Sequence, residues 1–393
     1  MSVEFGSLFD FIRNGMSVKQ DKAGAGLPIS RIETIADARV DPLRVGYAGL
    51  SEEECEGWLL QPGDILFSHI NSVDHIGKCA VYRGVPEKLV HGMNLLCLRP
   101  NQQLVDPEFA KYLIRGQDFK SRLANFVNKA VNQASVSIGN MKPILVVVPG
   151  LGEQRRIAAI LDQAETLRCQ RRSALAQLDS LTQSIFLDMF GDPVTNPKGW
   201  NFARLDQLVR ADDTINYGVI QPGDALEEGV PLVRVGDVVD GNFDPQSLKR
   251  IALSIEAPYK RSRLRGDEIL VTCVGSIGVV ALVDASMSGF NIARAVSRIP
   301  LSEKMDRVFV ASYLQTDYVQ RYFTSELRTV SQPTLNIKQI CETKVIQPPL
   351  PLQRTFATRI QAIESLKTTH RAALAELDAL FASLQQRAFA GEL

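Results

Sequence analysis

The stretch "QRRSALAQLDSLTQSIF", from Gln170 to Phe186, is written again as "THRAALAELDALFASLQ", from Thr369 to Gln385, at an ungapped offset of 199 positions. The same offset joins "QASVSIGNMKPILVVVPGLGEQRRIA" (Gln133 to Ala158) to "QPTLNIKQICETKVIQPPLPLQRTFA" (Gln332 to Ala357). Each copy keeps an apolar strand, a proline exit and a Gln-Arg pair that opens a helix. Solenoid units run to only about 20–50 residues, so this long period reads as one domain plan used twice. "LPISRIETI" (Leu27 to Ile35) echoes "VPLVRVGDV" (Val230 to Val238) at an offset of 203, and "GMN" at 92–94 echoes "GFN" at 289–291. Changes of offset mark insertions in surface loops.

A chain of 393 residues exceeds one ordinary core, which agrees with a duplicated plan. Hydrophobic content of 45% with 22% charge is that of a folded soluble protein. No apolar run reaches membrane-span length, and the start "MSVEFGSLFDFIRNG" lacks the basic and apolar regions of a secretory signal, so a cytoplasmic location is expected. Six scattered cysteines without a Cys-x-x-Cys pair suit a reducing compartment and predict no disulfides. Basic and acidic residues balance at 44 each, which weakens a nucleic-acid reading without excluding it, because layout rather than net charge decides.

In each half a globular unit precedes a long helix. Short apolar runs between turn signals ("GDILFSHI", "KCAVYRG", "NLLCLRP"; "DEILVTCVG", "GVVALVD") predict strands, interrupted by helical pieces such as "PEFAKYLIRGQDFKSRLANF" and "DRVFVASYLQTDYVQRYF". Pro149 and Pro351 mark the long-helix entries. Ile157, Ile160, Ala164, Leu167, Ala174, Leu178, Leu181 and Ile185 make one apolar stripe, matched by Phe356, Ile363, Leu366, Ala373, Leu377, Leu380 and Leu384. A helix of roughly 55 Å cannot be covered by its own domain, so its copy is the expected antiparallel partner. Arg171 and His370 interrupt the stripes at equivalent places, either fixing register or marking drift of the period onto a solvated face. Gly191, Asp192, Pro193, Asn196, Pro197 and Gly199 stop the first helix, and a second domain restarts at Trp200.

The junctions at 143–157 and 345–356, the twin "ALAQLDSL" and "ALAELDAL" helices and the linker "MFGDPVTNPKGW" together resemble the specificity subunit of a type I restriction-modification enzyme, over the whole chain. Gly150 stands where the family commonly has a second proline, and Leu352 where it has a glutamate, so no capping carboxylate is expected at Leu352. The resemblance implies an α+β chain with a pseudo-twofold internal repeat. Two α/β target recognition domains, 1–150 and 201–350, would be joined by long antiparallel helices, 151–190 and 351–393, forming a coiled-coil spacer, with a linker at 191–200. It implies a DNA-binding subunit of a multisubunit restriction system, each domain reading one half of a bipartite asymmetric site in double-stranded DNA. The implied partners are two modification (methyltransferase) subunits and restriction (translocase/nuclease) subunits, which would carry the S-adenosylmethionine, ATP and Mg²⁺. The helices would act as a ruler, leaving an unread gap of about 5–8 base pairs.

Read for chemistry directly, the chain offers little. "QPPL" (Gln347 to Leu350) lacks the Asp/Asn and the stacking aromatic of a methyltransferase motif, and no Walker-type loop occurs. Glu342 and Lys344 form a Glu-x-Lys without an upstream "PD", and His69, His75 and Cys79 lack a fourth zinc ligand. A stand-alone methyltransferase or nuclease, a methylation-only system and a purely structural adaptor are the alternatives to a restriction subunit. The DNA-reading candidates are polar residues on predicted loops. In the first domain they are Arg31, Ser68, His69, Asn71, His75, Lys78, Asn94, Lys129, Asn132, Gln133 and Ser135. In the second they are Arg234, Lys260, Arg261, Arg263, Arg265, Thr272, Ser276, Asn291, Arg328, Ser331, Gln332, Thr334, Asn336 and Lys338.

Overall fold

The computed structural model describes the chain apart from residues 1, 73–74, 131–132, 239–240, 242 and 328–332, and without the side chains of 130 and 133. The chain forms two compact units, one of Met1–Arg172 with Ala372–Leu393, the other of Ser173–Arg371.

In the first unit a four-stranded antiparallel sheet runs in the order Phe9–Asn14, Leu95–Pro100, Ile65–Ser68, Cys79–Val81. In the second, Asn216–Tyr217, Val296–Ile299, Ile269–Thr272 and Val280–Leu282 repeat that order and sense. The central strands are buried on both faces, which is why they read as continuous apolar runs. One face packs on helix α1 (Pro107–Arg115) and helix α2 (Gln117–Ala124) in the first unit. Helices α4 (Arg307–Leu314) and α5 (Asp317–Ser325) do this in the second.

The long helices are α3, Leu151–Phe190, and α6, Leu350–Ala390. Each begins in one unit and ends in the other. Within the first unit the start of α3 and the end of α6 lie antiparallel, Arg168 Nε standing 2.5 Å from Asp378 Oδ1. Within the second, Lys367 Nζ stands 2.8 Å from Asp179 Oδ1.

The Gln-Arg motif at each helix entry has a specific task. Gln154, 1% exposed, accepts a hydrogen bond from the Asp106 N–H at 2.8 Å and donates to the Leu104 and Pro149 carbonyls, both at 2.9 Å. Gln353, equally buried, accepts from the Asp306 N–H at 2.9 Å and donates to the Pro348 carbonyl at 2.7 Å. Asp106 and Asp306 in turn cap α1 and α4 by accepting from Glu108 and Phe109, and from Val308 and Phe309. A buried amide, not a carboxylate, therefore ties each long helix to its domain. The structural counterpart of Pro149 is Pro348, and Pro351 lies inside the first turn of α6.

The apolar stripes divide. Ile157, Ala164, Phe356 and Ile363 are buried, but Leu167, Leu181, Leu366 and Leu380 are 44%, 44%, 52% and 50% exposed. The last four were expected in the helix pairing. The 3.6-residue period carries them round to the outer surface instead. Arg171 and His370 are half-buried.

The linker closes α3 compactly. Gly191 takes a left-handed φ of 80°, Lys198 Nζ donates to the Asp188 and Met189 carbonyls, and Trp200 Nε1 donates to the Phe190 carbonyl. All six cysteines are free thiols. Among the described residues no helix is long and apolar enough to cross a membrane.

Candidate nucleic-acid interface

In the first unit a small sheet gathers several of the expected residues. Strand Gln133–Ser135 pairs with Ile70–Asn71 on one side and Asn128–Ala130 on the other, setting Ala134 opposite Asn71 and Ser135 opposite Asn128. Asn71 and Lys129, both in line with Ala134, thus share one face of this sheet, and Ser135 lies on the other with Asn128. His75 is exposed and Lys78 half-buried on the adjoining turn. Asn94 has a left-handed φ of 70°, a conformation asparagine tolerates.

Ser68 and His69 are turned inward. Ser68 is 1% exposed and accepts from Asn71 Nδ2 at 3.2 Å. His69 is 7% exposed. Burial pushes its pKa down to about 4, against a hydrogen bond to the Asn94 backbone, and among the described residues its Nδ1 has no partner. His91 behaves alike: burial lowers it to about 4 while Nε2 lies 3.0 Å from the Leu95 carbonyl. Cys79 is buried with its thiol pushed up to about 11 by desolvation. Among the described residues no three His, Cys, Asp or Glu side chains come together as metal ligands.

The second unit separates its candidates more sharply. Asn291 is fully buried, donating to Glu256 Oε1 and the Tyr259 carbonyl at 3.1 Å and accepting from Ser262 Oγ at 2.7 Å. Thr272 is 1% exposed, accepting from the Val279 N–H at 2.9 Å and donating to the Ser276 carbonyl. Both spend their polar groups inside the fold. Arg263 pairs with Glu256 at 2.6 Å, and Arg265 stands 3.5 Å from Asp212 and Asp213. Arg234 pairs with Asp237 at 2.7 Å. Its counterpart Arg31 lies 3.3 Å from Glu33, each arginine standing at the N-cap of a short 3-10 turn. Lys260, Arg261, Ser276 and Lys338 are all exposed. Val274 bridges Thr334, bringing Ser276's loop against the segment that leads to Asn336, the N-cap of helix Ile337–Glu342. Asn132, Arg328, Ser331 and Gln332 lie outside the described residues, as does the side chain of Gln133.

The "GMN" and "GFN" echo does not survive. Ile29 bridges Val90 in parallel, and Leu232 pairs with Asn291 in parallel, so Val90 is the counterpart of Asn291 and Ala295 that of Asn94. Sequence reading also passed over Arg294, exposed on the turn before strand Val296–Ile299.

Two copies of one mixed α/β domain, each ending in a long helix, define a class that the comparisons identify. The family described as the type I restriction modification DNA specificity domain matches residues 1–176 and again 197–379, and the chain belongs to it. A putative type I restriction enzyme MjaX specificity subunit of Methanocaldococcus jannaschii is 31% identical over 378 residues, 92% of this chain and 86% of the relative. The type I restriction enzyme EcoBI specificity subunit of Escherichia coli is 28% identical over 78% of this chain and 74% of its own length. Two solved structures share the fold. The type I restriction-modification S subunit from M. genitalium gives a TM-score of 0.61 at 14% identity, with 99% of this chain and 96% of that one covered. A chain from work on complex assembly and conformational transition of the type I R-M system gives 0.53 at 17%, covering 100% and 98%.

Proposed function

We propose that the chain is the non-catalytic specificity subunit of a type I restriction-modification complex, working in the cytoplasm. Each domain reads one half of a bipartite, asymmetric site in duplex DNA. The observation that carries this reading is the recurrence of one DNA specificity domain on matching frameworks whose loops differ in chemistry. Two modification subunits dock on the duplicated helices, and restriction subunits join that assembly. S-adenosylmethionine, ATP and Mg²⁺ belong to those partners. The lengths of α3 and α6, 40 and 41 residues, set the unread gap between the half-sites.

Mapping methylated adenines in a host carrying the complex is expected to return a two-part motif with a fixed gap. Lengthening both helices by one turn, after Leu175 and Leu374, is expected to change the gap and leave the half-sites intact. A one-part motif, or methyl transfer by the isolated chain, would refute the reading.

A further inference from the structure

The turn entering the strand next to the sheet centre is held the same way in both units but carries different side chains. In the first unit the Met16 N–H donates to the His91 carbonyl at 2.8 Å and the Met93 N–H to the Met16 carbonyl at 3.0 Å. In the second the Val219 N–H donates to the Ile292 carbonyl and the Arg294 N–H to the Val219 carbonyl, both at 2.8 Å. The approach of these segments requires glycine. A Cβ on Gly15 would lie 1.9 Å from the Gly92 carbonyl oxygen, and one on Gly218 would lie 1.6 Å from that of Ile292. Met93 and Arg294 therefore occupy one position of a common frame, and both side chains are exposed.

The second unit braces this turn further. The Val296 N–H donates to the Ala293 carbonyl at 2.9 Å, and the Cys273 N–H to the Ala295 carbonyl at 2.8 Å. Cys273 also accepts from the Leu335 N–H at 2.9 Å, beside the Val274 to Thr334 bridge. Arg294 is thus rooted rigidly among the loops that hold Ser276, Thr334 and Asn336. Arg204, Arg210, Arg263, Arg265 and Arg298 each have a carboxylate within 4 Å. Among the described residues Arg294 has none, so its five donors are uncommitted.

We infer that Arg294 reads a base of the second half-site, its guanidinium donating to the O6 and N7 acceptors of a guanine. Met93 holds the matching place in the first half and offers an apolar surface suited to a thymine methyl group. A phosphate contact would call for the same charge in both copies, since the backbone is the same in both half-sites. The two copies instead carry a cation and a thioether at a conserved frame position, as sequence readout requires.

This inference rests on the DNA-reading function proposed above, and the test separates the two. The full complex with Arg294→Ala, Arg294→Lys or Met93→Ala is assayed by methylation mapping and by competition band shifts on duplex DNA. Arg294→Ala and Arg294→Lys are both expected to lose roughly ten- to a hundredfold discrimination at one base pair of one half-site. The other half-site and the unfolding temperature stay unchanged, and Met93→Ala alters only the opposite half. If Arg294→Lys keeps the motif while Arg294→Ala weakens binding to all sequences alike, the contact is to phosphate and the inference is overturned. An unchanged motif in both variants also overturns it. A wild-type complex that fails to shift duplex DNA at low salt overturns the DNA-reading function, and this inference with it.

Discussion

Arg168 and Asp378 form the same ion pair as Lys367 and Asp179: the two cations are 199 positions apart, and so are the two carboxylates. The change from arginine to lysine has a local cause. Arg168 stacks over the Phe381 ring, 4.4 Å from its centroid, whereas Thr182 holds the place of Phe381 in the other copy. A planar guanidinium suits the aromatic face. The second carboxylate is common to both copies, Glu165 at 2.6 Å from Arg168 and Glu364 at 2.7 Å from Lys367; burial lowers the Lys367 pKa, but its hydrogen bonds to Asp179 and Glu364 outweigh that and the net shift is upward.

Arg168→Lys is accordingly expected to destabilise the first unit by about 0.5–1 kcal/mol, the stacking contribution, in urea unfolding. Removing both carboxylates from Lys367, in Asp179→Ala with Glu364→Ala, is expected to cost about 1–3 kcal/mol, because it leaves a largely buried ammonium unpaired. Lys367→Met should be milder than that double change. An equal or larger loss in Lys367→Met would show that the charge itself stabilises the helix pair.

Gln353→Ala leaves the Asp306 N–H and the Pro348 carbonyl without partners in a buried place. A cost of about 2–4 kcal/mol is expected, and Gln154→Ala should match it. Gln353→Glu should be no better, since a carboxylate cannot donate to Pro348. Chemical denaturation of each variant checks the prediction, and a cost below about 0.5 kcal/mol in either would remove the amide from its assigned role.

The exposed leucines come in duplicate, Leu167 with Leu366 and Leu181 with Leu380. On the docking function proposed above, these outward apolar groups belong to the surface that a modification subunit would cover. Leu167→Lys with Leu366→Lys is expected to leave the melting temperature within about 2 °C of the parent. The same variant should lose the co-purifying modification subunits. Retained stoichiometry by native mass spectrometry would place the docking surface elsewhere.

Acidification should loosen the first unit. His69 and His91 are held near 4, below the ordinary histidine value of 6.5, so the folded state binds fewer protons than the unfolded state between those values. Their contribution is fully present above about pH 6.5 and falls as the pH drops toward 4. The melting temperature should decline across that window, and less steeply in His69→Gln with His91→Gln. An identical slope in the variant would assign the acid sensitivity to other groups.

Much of the framework was legible because its signals are local. Helix period, Gly191, Asn196 and the Gln-Arg pairs act within a few residues of where they stand. Which polar residues face solvent was not, because that depends on neighbours distant in sequence. Asn291 and Thr272 have the chemistry of base readers, but Glu256, Tyr259, Ser262 and Val279 consume their hydrogen bonds. Arg294 has the converse history: nothing around it in sequence sets it apart, and it is the backbone pairing, through Leu232 with Asn291 and the Val219 carbonyl, that identifies it as the counterpart of Met93. The Leu167 and Leu181 sites misled for a third reason, since a three-four spacing cannot say where the stripe turns away from the second helix.

Phe190, at the end of α3, packs on Phe309 with centroids 4.7 Å apart, and Phe389, at the end of α6, packs on Phe109 at 5.5 Å. Each helix tail thus fits the domain of the opposite repeat through the same aromatic contact, and nothing in that contact depends on which chain supplies the tail. A polypeptide of half this length, ending just after Phe190, would carry a tail and a receptor that complement each other, so two copies could close on themselves as a homodimer. Such a homodimer would hold two identical readers and so recognise a palindrome. Joining the halves at Gly191 to Trp200 keeps the closure while freeing each reader to mutate alone, and an asymmetric target becomes available at the cost of one short linker.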